Sequence, residues 1–432
     1  MTSWTLILRS LRFHARAHLG VVLGATVGST ALVGALVVGD SVRESLRELA
    51  LLRLGRTEYA LNANDRFFRA KLADDIAANG VAPVLQLPGT AASIDGAARA
   101  NRVQVLGVNH RFWSLAGQPP AFGAIPKDAV VLNSTLADQL KARVGDTILL
   151  RLEKPSLLSR DVPISPQEDY AVATRLKVHA IVFDAESGRF SLQANQVPPF
   201  NAFVPIETLQ ESVNLPGRAN MLLVGQNESS AAGGLSGLSS ALRSKWQLAD
   251  AELELRELPV ANCLELRTSR IFIDPPAAEA ALKAATNAQP ILTYFVNELR
   301  DGPRAAPYSM VTAMGAPVVP ADMRDDEILV NDWLADDLQA KPGDKLSLTY
   351  YVIGSDRKLI ERQSEFRVHG VVPMAGAAAD PTLMPDFPGI AKAESSHDWD
   401  AGFAIQLNKI RDQDEKYWKE HRGTPKAFVT LV

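Results

Sequence analysis

The chain has 432 residues, of which 47% are hydrophobic and 22% charged, a composition that supports an apolar core and excludes wholesale disorder. The formal net charge of −4 comes without a basic stripe, which argues against nucleic acid as a partner. The single cysteine, Cys263, excludes an internal disulfide framework and a cysteine-rich metal site.

Residues 1–18 form a basic segment with apolar residues at helical spacing. It contains Arg9, Arg12 and Arg16 but no acidic residue. The positive-inside rule therefore predicts a cytoplasmic interfacial segment, with the main domain on the opposite, extracytoplasmic side of the cell (inner) membrane. An ordinary basic N-terminus without lipid contact is the alternative, and it predicts the same orientation.

Residues 19–39 contain 21 consecutive residues without a charged side chain, and we predict a transmembrane helix here. At about 1.5 Å per residue, such a helix crosses the roughly 30 Å of a bilayer's hydrocarbon core. Gly20, Gly24 and Gly28 share one face, which indicates either helix-helix packing or chance spacing in a run of small residues. A cleaved signal peptide is the alternative, but the apolar run exceeds the usual length and no A-x-A site follows.

Residues 40–56 continue the helical rhythm outward as a predicted stalk. Val42, Leu46 and Leu49 have helical spacing, and Gly55 is a candidate C-cap. The stalk either transmits motion between the membrane and the outer domain or serves only as a rigid connector.

The rest of the chain contains an internal repeat. The segments that begin at Asn133 and Asn331 align without gaps, and eight of their first fourteen positions are identical. We expect the Asn or the next residue to cap a short helix, the Leu to lie in its buried stripe and Gly-Asp to turn into a strand. The residues predicted to shape the two copies are Asn133, Leu136, Gly145, Asp146, Asn331, Leu334, Gly343 and Asp344.

Weaker matches extend each copy to more than a hundred residues. VAPVLQ from Val81 resembles AQPILT from Ala288, and VQVLGV from Val103 is placed against MVTAMG from Met310. Downstream, RLKVHAIV matches EFRVHGVV. The sequence thus predicts an α+β fold, with one N-terminal transmembrane helix followed by a large extracytoplasmic domain built from two related strand-helix-strand units.

The predicted boundaries follow from these copies. Residues 57–228 form the first unit with a following strand-helix-strand segment, 229–262 a Gly/Ser-rich linker and connection, and 263–432 the second unit. Within the second unit, Met374–Asp400 is predicted to be a long Pro-rich loop whose acidic residues lack the spacing of metal ligands.

No catalytic constellation is evident. The sequence lacks HExxH, GxSxG, CxxC and GxxxxGK[ST] motifs, so we predict no catalytic residue, no cofactor and no metal site. His179 and His369 occupy matching strand positions. They are either a paired functional feature or, in the interpretation we favour, histidines packed within their strands. Cys263 is predicted to be a small buried apolar residue.

The chain resembles the permease subunits of FtsX-like/MacB-type ABC transporters in the order of its segments. That order is a basic N-terminus, a span, GDSVRESL, LAxxLxxxxGDxLxL, a VxGVV-like strand and FVPIETLQ. The resemblance rests on Leu19–Gly39, Asn133–Leu149, Val178–Val182 and Phe203–Leu209. It implies a non-catalytic permease subunit that couples a separate cytoplasmic ABC ATPase to motion of an extracytoplasmic domain, for export or extraction of an amphipathic substrate. It also implies membrane lipid and a second permease copy as partners.

The chain departs from that pattern by carrying a second copy of the unit and by ending at Val432 before further spans. We therefore expect a fragment of a longer permease. The alternative function is a single-span membrane-anchored binding or scaffold protein with no transport activity. An enzyme would require a pocket that gathers His179, His369 or Cys263 with acidic partners.

Overall fold

A computed structural model describes residues 3–76, 80–155, 171–193, 197–226, 233–258, 262–270, 272–285, 287–353, 359–385, 387, 389–400 and 405–431. The chain begins with two consecutive helices, α1 (Ser3–Phe13) and α2 (Ala15–Leu54). Of the helices in the described ranges, α2 is the one long and apolar enough to cross a membrane. It ends at Gly55, whose φ of 60° confirms the predicted C-cap.

The remaining helices of the described residues are short. They are α3 (Leu72–Ile76), α4 (His110–Ser114), α5 (Ser134–Leu140), α6 (Ile206–Ser212), α7 (Gly234–Lys245), α8 (Pro275–Ala284), α9 (Asp332–Leu338) and α10 (Asp412–His421). Three 3-10 turns in the predicted Pro-rich loop span Gly376–Ala379, Pro381–Leu383 and Ser396–Asp398.

The first unit is a six-stranded β-barrel with four further strands, two of which extend its sheet and two of which pair only with each other. Its strands are β1 (Thr57–Asn62), β2 (Phe68–Arg69), β3 (Val81–Ser93), β4 (Arg99–Val108), β5 (Ala129–Asn133), β6 (Thr147–Glu153), β7 (Ala171–Val182), β8 (Phe200–Pro205), β9 (Arg218–Ala219) and β10 (Met221–Gly225). The sheet order is β1-β10-β3-β4-β8-β5-β7-β6. Because β3 also pairs with β6, the last six strands of that order close into a ring, the first barrel.

The second unit is a six-stranded closed barrel of the same design. A separate hairpin of β11 (Leu253–Leu258) and β12 (Cys263–Thr268) precedes this barrel in the chain. The barrel strands are β13 (Leu292–Asp301), β14 (Arg304–Ala313), β15 (Glu327–Asn331), β16 (Lys345–Ile353), β17 (Leu359–Val372) and β18 (Ala427–Val429). The order β13-β14-β18-β15-β17-β16 repeats that of the first barrel strand for strand. Parallel pairs recur at the same places, β4 with β8 and β5 with β7 in one barrel, β14 with β18 and β15 with β17 in the other.

The predicted α+β class with two related units is confirmed, but each unit is larger than strand-helix-strand. The strand that contains NAFV from Asn201, which the sequence placed in the segment following the first copy, is a member of the first barrel. Its counterpart is KAFV at Lys426, since Phe203 and Phe428 lie opposite equivalent residues of β5 and β15. Each barrel therefore closes only when a strand distant in sequence returns to it.

The predicted alignment of β4 with β14 is wrong by one residue. Ala202 pairs with Val105, and its counterpart Ala427 pairs with Val311, so Val105 corresponds to Val311. The sequence alignment had placed Val105 against Thr312. A slip of one residue exchanges the two faces of a strand, and these short apolar runs do not specify the register by themselves.

The predicted linker 229–262 is also partly wrong. Residues 229–232 and 259–261 lie outside the described residues, but the segment contains α7 and β11. Leu238 and Leu242 of α7 pack in a cluster with Leu72 of α3. The apolar residues of LSGLSSAL recur at helical spacing, and this tertiary packing outweighs the weak helix propensity of Gly and Ser.

Candidate functional site

The end of α2 is anchored in the first barrel. An added Cβ at Gly55 would lie 2.5 Å from the carbonyl oxygen of Leu115, so only glycine permits this close approach. The next residue, Arg56, donates its backbone N–H to the same oxygen at 2.7 Å. Leu54 packs against an aromatic cluster on the outer face of the barrel strands, which includes Phe112 and Trp113.

The side chain of Arg56 ties the helix end to the same loop. Its Nη2 donates to the Ser114 carbonyl at 2.6 Å and its Nε to the Ala116 carbonyl at 3.2 Å. The loop is tied in turn to the 3-10 turn at Asp184–Glu186, because Gln118 donates its N–H to Ala185 at 2.8 Å. We call this set of contacts the junction. It joins a continuous helix to a barrel without an intervening linker.

The predicted topology and helix-packing residues lie on the exposed N-terminal helices. Arg9 and Arg12 are in α1, and Arg16 is in α2. Gly20, Gly24 and Gly28 face outward on α2, where an added Cβ would meet no atom of this chain within 4 Å. Their roles in orientation and in packing against another helix stay predictions.

The repeat residues shape the same corner in each barrel. Asn133 accepts the N–H of Leu136 at 3.0 Å through its side chain, as Asn331 accepts that of Leu334 at 2.8 Å. Each Asn is therefore the N-cap of a short helix, α5 or α9.

The Gly-Asp pairs form matching turns into β6 and β16. Gly145 and Gly343 both have φ of 97°, a conformation that favours glycine. Asp146 accepts the N–H of Arg143, and Asp344 that of Lys341, both at 2.7 Å. These side chains stabilise the local backbone and present no reactive group.

The two histidines and the cysteine do not form a site. His179 packs edge-on against Phe122, whereas His369 places its Nδ1 3.1 Å from a carboxylate oxygen of Glu327. A backbone hydrogen bond from Arg324, with the His369 contact, lowers the pKa of Glu327. Cys263 is exposed on the hairpin, so its predicted burial is wrong. Within the described ranges, no three His, Cys, Asp or Glu residues are placed to hold a metal ion.

The second barrel contains a buried charged network that the sequence did not reveal. The Nζ of Lys426, at 4% side-chain exposure, lies 3.2 Å from Asp414 of α10 and over the rings of Trp333 and Tyr417. Arg411 bridges Asp414 and Asp337 at 2.7 and 2.6 Å, which links α10 to α9. Burial lowers the pKa of Lys426.

The sequence feature that could have indicated this network is the pair of equivalent strands NAFV and KAFV, in which the lysine replaces an asparagine. In the first barrel, Asn201 stands at the position of Lys426 and donates to the carbonyls of Gly188 and Phe190 at 3.0 and 2.9 Å. A cavity of about 30 Å³ beside Lys426, walled by Trp399 and Trp418, has room for little more than ordered water. The network therefore fixes α10 on the barrel.

Comparison with protein-family models identifies the family of this chain. The family model described as the MacB-like periplasmic core domain matches residues 19–258, more than half of the chain. This chain belongs to the MacB-like periplasmic core domain family. The predicted resemblance to MacB-type ABC transporter permeases is thereby confirmed. No curated protein matches the chain significantly.

Solved structures give weaker similarities. The periplasmic region of MacB from Actinobacillus actinomycetemcomitans is 13% identical, with 54% of this chain and 96% of that chain covered and a TM-score of 0.31. The extracellular domain of the noncanonic ABC-type transporter YknZ from Gram-positive bacteria is 11% identical, with 42% and 86% covered and a TM-score of 0.27. A permease domain from Porphyromonas gingivalis is 11% identical, with 50% and 86% covered and a TM-score of 0.25. The assignment rests on the family match alone.

The MacB-like match includes the junction and the first barrel but ends at Leu258, before the second barrel. The second barrel is related to the MacB-like core through the internal repeat, with Asn331, Gly343 and Asp344 at equivalent corners. The first barrel has the uncharged Asn201 at the position of Lys426, so the charged network is not repeated there. The second barrel is thus a duplicated and modified version of the core.

Glu415 of α10 gives the second barrel a pH-dependent contact. Burial raises its pKa, but hydrogen bonds from Ser396, Lys419 and Ser395 outweigh burial and hold that pKa at about 2. Since its ordinary pKa is 4.5, the contact stabilises the fold above that pH and is lost as the pH falls toward 2.

We therefore expect a loss of up to about 3 kcal/mol in the free energy of unfolding across that pH interval. Glu415→Gln should remove most of this pH dependence and lower stability at pH 7. Urea titrations of the chain in nanodiscs at several pH values measure it, with the exposed Glu420→Gln as the control. Identical pH profiles for wild type and Glu415→Gln would contradict this assignment.

Proposed function

We propose that this chain is a permease component that couples a cytoplasmic ABC ATPase to motion of its extracytoplasmic domain, for export or extraction of an amphipathic substrate. The observation that carries the proposal is the junction at Gly55. Because α2 runs without a break from Ala15 to Leu54 and is fixed at its end, a displacement of its membrane part moves the barrel instead of bending a linker.

The partners follow from the N-terminal helices. Arg9, Arg12 and Arg16 favour a cytoplasmic N-terminus at the inner membrane, in contact with lipid. The face of Gly20, Gly24 and Gly28 suits close approach of another span, which we assign to a second permease copy. ATP hydrolysis is assigned to the ATPase, and this chain supplies no covalent chemistry.

Reconstitution tests the coupling. We expect the chain to co-purify with its ATPase, and residues 1–39 to be required for this association. In proteoliposomes, substrate-dependent ATPase turnover should fall several-fold when the chain ends at Arg56 and so lacks both barrels. Turnover that is indifferent to the barrels would refute coupling, and association without coupling would favour the scaffold function.

Cys263 provides a test of orientation, because it is the single cysteine and is exposed. A membrane-impermeant maleimide added to the outer side of sealed spheroplasts should label the wild-type chain and leave Cys263→Ser unlabelled. Labelling only after the membrane is permeabilised would place the barrels on the cytoplasmic side and overturn the assigned topology.

A further inference from the structure

The two barrels are joined through the β11–β12 hairpin and the exposed helix α8. The base of the hairpin is fixed to the first unit, because the side chain of Asp250 is fully buried and pairs with Arg69 at 2.7 Å. After the hairpin, the chain continues through α8 to β13, and no residue of α8 is buried. The described residues from Leu282 to Ile291 are all exposed as well. The direction in which α8 leaves the first unit is therefore not set by apolar packing.

A bidentate ion pair holds the start of α8. Arg66, in the turn between β1 and β2, donates from both terminal nitrogens to the two carboxylate oxygens of Asp274, with Nη2 2.6 Å from Oδ1. The two residues are 208 positions apart in the sequence. The hydrogen bonds from Arg66 lower the pKa of Asp274, so this carboxylate is charged at neutral pH. A strong, oriented contact thus links the first unit to the helix that leads to the second barrel.

The sequence around Asp274 explains why its side chain is available for this pair. An aspartate at an N-cap normally accepts an N–H from the second or third residue of its helix. Pro276 has no N–H to donate, and the N–H of Ala277 bonds to the backbone oxygen of Asp274 at 2.9 Å. The side chain of Asp274 accordingly makes no cap hydrogen bond. Its carboxylate binds Arg66 instead of its own helix.

A second ion pair lies beside the first in the opposite order of charge. Arg270 is 3.8 Å from a carboxylate oxygen of Asp65 and 3.4 Å from one of Glu252. The acidic and basic residues 65 and 66 therefore face a basic residue at 270 and an acidic residue at 274. A shifted arrangement would bring like charges together, so this order favours one position of the start of α8. We call Asp65, Arg66, Arg270 and Asp274 the clasp.

The clasp joins a fixed surface to an exposed helix. On the first unit, Arg66 precedes Phe67 and Phe68, which are buried at 8% and 1% exposure. The side chains of Arg66 and Asp274 are themselves 41% and 42% exposed. Ion pairs with this exposure contribute little to the stability of a fold and weaken as salt is added. The clasp can therefore open while both barrels stay folded.

We propose that the clasp is a releasable latch, which holds the second barrel in one position relative to the first and lets α8 swing when it opens. The ten residues of α8 extend roughly 15 Å beyond the clasp, so a small rotation at Asp274 displaces the start of the second barrel by several times as much as the clasp itself moves. This inference does not depend on the coupling function, because it concerns the chain without nucleotide or ATPase.

Distances between spin labels on the two barrels test the latch in the full chain in nanodiscs. In a Cys263→Ser background, the labels are placed at Ile94→Cys on the first barrel and Lys341→Cys on the second, both exposed positions. In about 0.1 M NaCl we expect one narrow distance distribution. About 1 M NaCl shortens the Debye length from about 10 Å to about 3 Å, so the clasp should open and the distribution should broaden.

Asp274→Asn should broaden the distribution in the lower salt, about twofold in width, and should remove most of its salt dependence. Asparagine is a favoured N-cap residue, so α8 should keep its start. Glu279→Gln is the matched control, because it removes one negative charge from the exposed side of α8 outside the clasp. This control should reproduce the wild-type distribution in both salt concentrations.

A second label pair checks that the variants stay folded. The distance between Lys341→Cys and Val371→Cys lies within the second barrel and should be the same in wild type and in both variants. With that distance unchanged, equal distributions between the barrels for wild type and Asp274→Asn would refute the latch. Equal broadening by Glu279→Gln would refute it as well, because the effect would then belong to the charge of α8 and not to the clasp.

Discussion

Asp414→Ala is expected to destabilise the second barrel by about 3–5 kcal/mol, because it leaves the buried ammonium of Lys426 without its carboxylate. Asp414 also pairs with Arg411, so the variant removes both ion pairs of this carboxylate, while Arg411 keeps its pair with Asp337. Burial already lowers the pKa of Lys426, and the variant should release part of the cost by deprotonating that lysine. Hydrogen exchange of the chain in nanodiscs should show faster exchange in α10 and β18, with the first barrel unchanged.

Asp412→Ala is the matched control, because Asp412 lies in the same first turn of α10 but is exposed. Combining Asp414→Ala with Lys426→Met should recover much of the lost protection, since an apolar pair of similar volume removes the unpaired charge. Equal exchange in Asp414→Ala and Asp412→Ala would show that the network does not stabilise α10.

The proposed coupling predicts that Gly55→Ala separates transport from ATP hydrolysis. The added Cβ would lie 2.5 Å from a backbone oxygen, and the φ of 60° is itself unfavourable for alanine, so the junction should lose about 3 kcal/mol. In proteoliposomes, transport per ATP hydrolysed should fall at least tenfold while the ATPase remains bound. The loss arises because the end of α2 can no longer rest on the loop at Leu115.

Gly96→Ala is the control that distinguishes loss of the close contact at Gly55 from the strain of placing alanine at a positive φ. Gly96 has a φ of 72° on a hairpin of the first barrel, and an added Cβ there would meet nothing within 4 Å. We expect transport by Gly96→Ala to match that of wild type. Equal transport by the two variants would mean that the close contact at Gly55 is not needed for coupling.

Local chemistry made part of this architecture predictable. The long apolar helix follows from an uncharged run whose length matches a bilayer, and its end at Gly55 from the end of a helical rhythm. The corners of the barrels were visible because Asn133 and Asn331 cap helices within three residues of themselves. These interactions depend on neighbours in sequence, so a pattern search finds them.

Contacts between distant segments were not predictable. Barrel closure depends on pairs such as Gly89 with Leu152 and Leu299 with Leu348, which no local pattern specifies. The network around Lys426 was missed because its partners come from separate helices. The junction was missed for the same reason: Gly55 indicated a helix end, but its contact with the loop at residues 114–118 appears only in three dimensions.

Distances between spin labels across the junction show whether α2 and the first barrel move together. In a Cys263→Ser background, spin labels at Arg43→Cys on α2 and Ile94→Cys on the first barrel report whether helix and barrel move as one body. We expect one unchanged distance distribution with and without ATP and vanadate, while the distance from Ile94→Cys to a label on the ATPase shifts. A distribution between residues 43 and 94 that changes with nucleotide would contradict it, because the junction would then be a hinge.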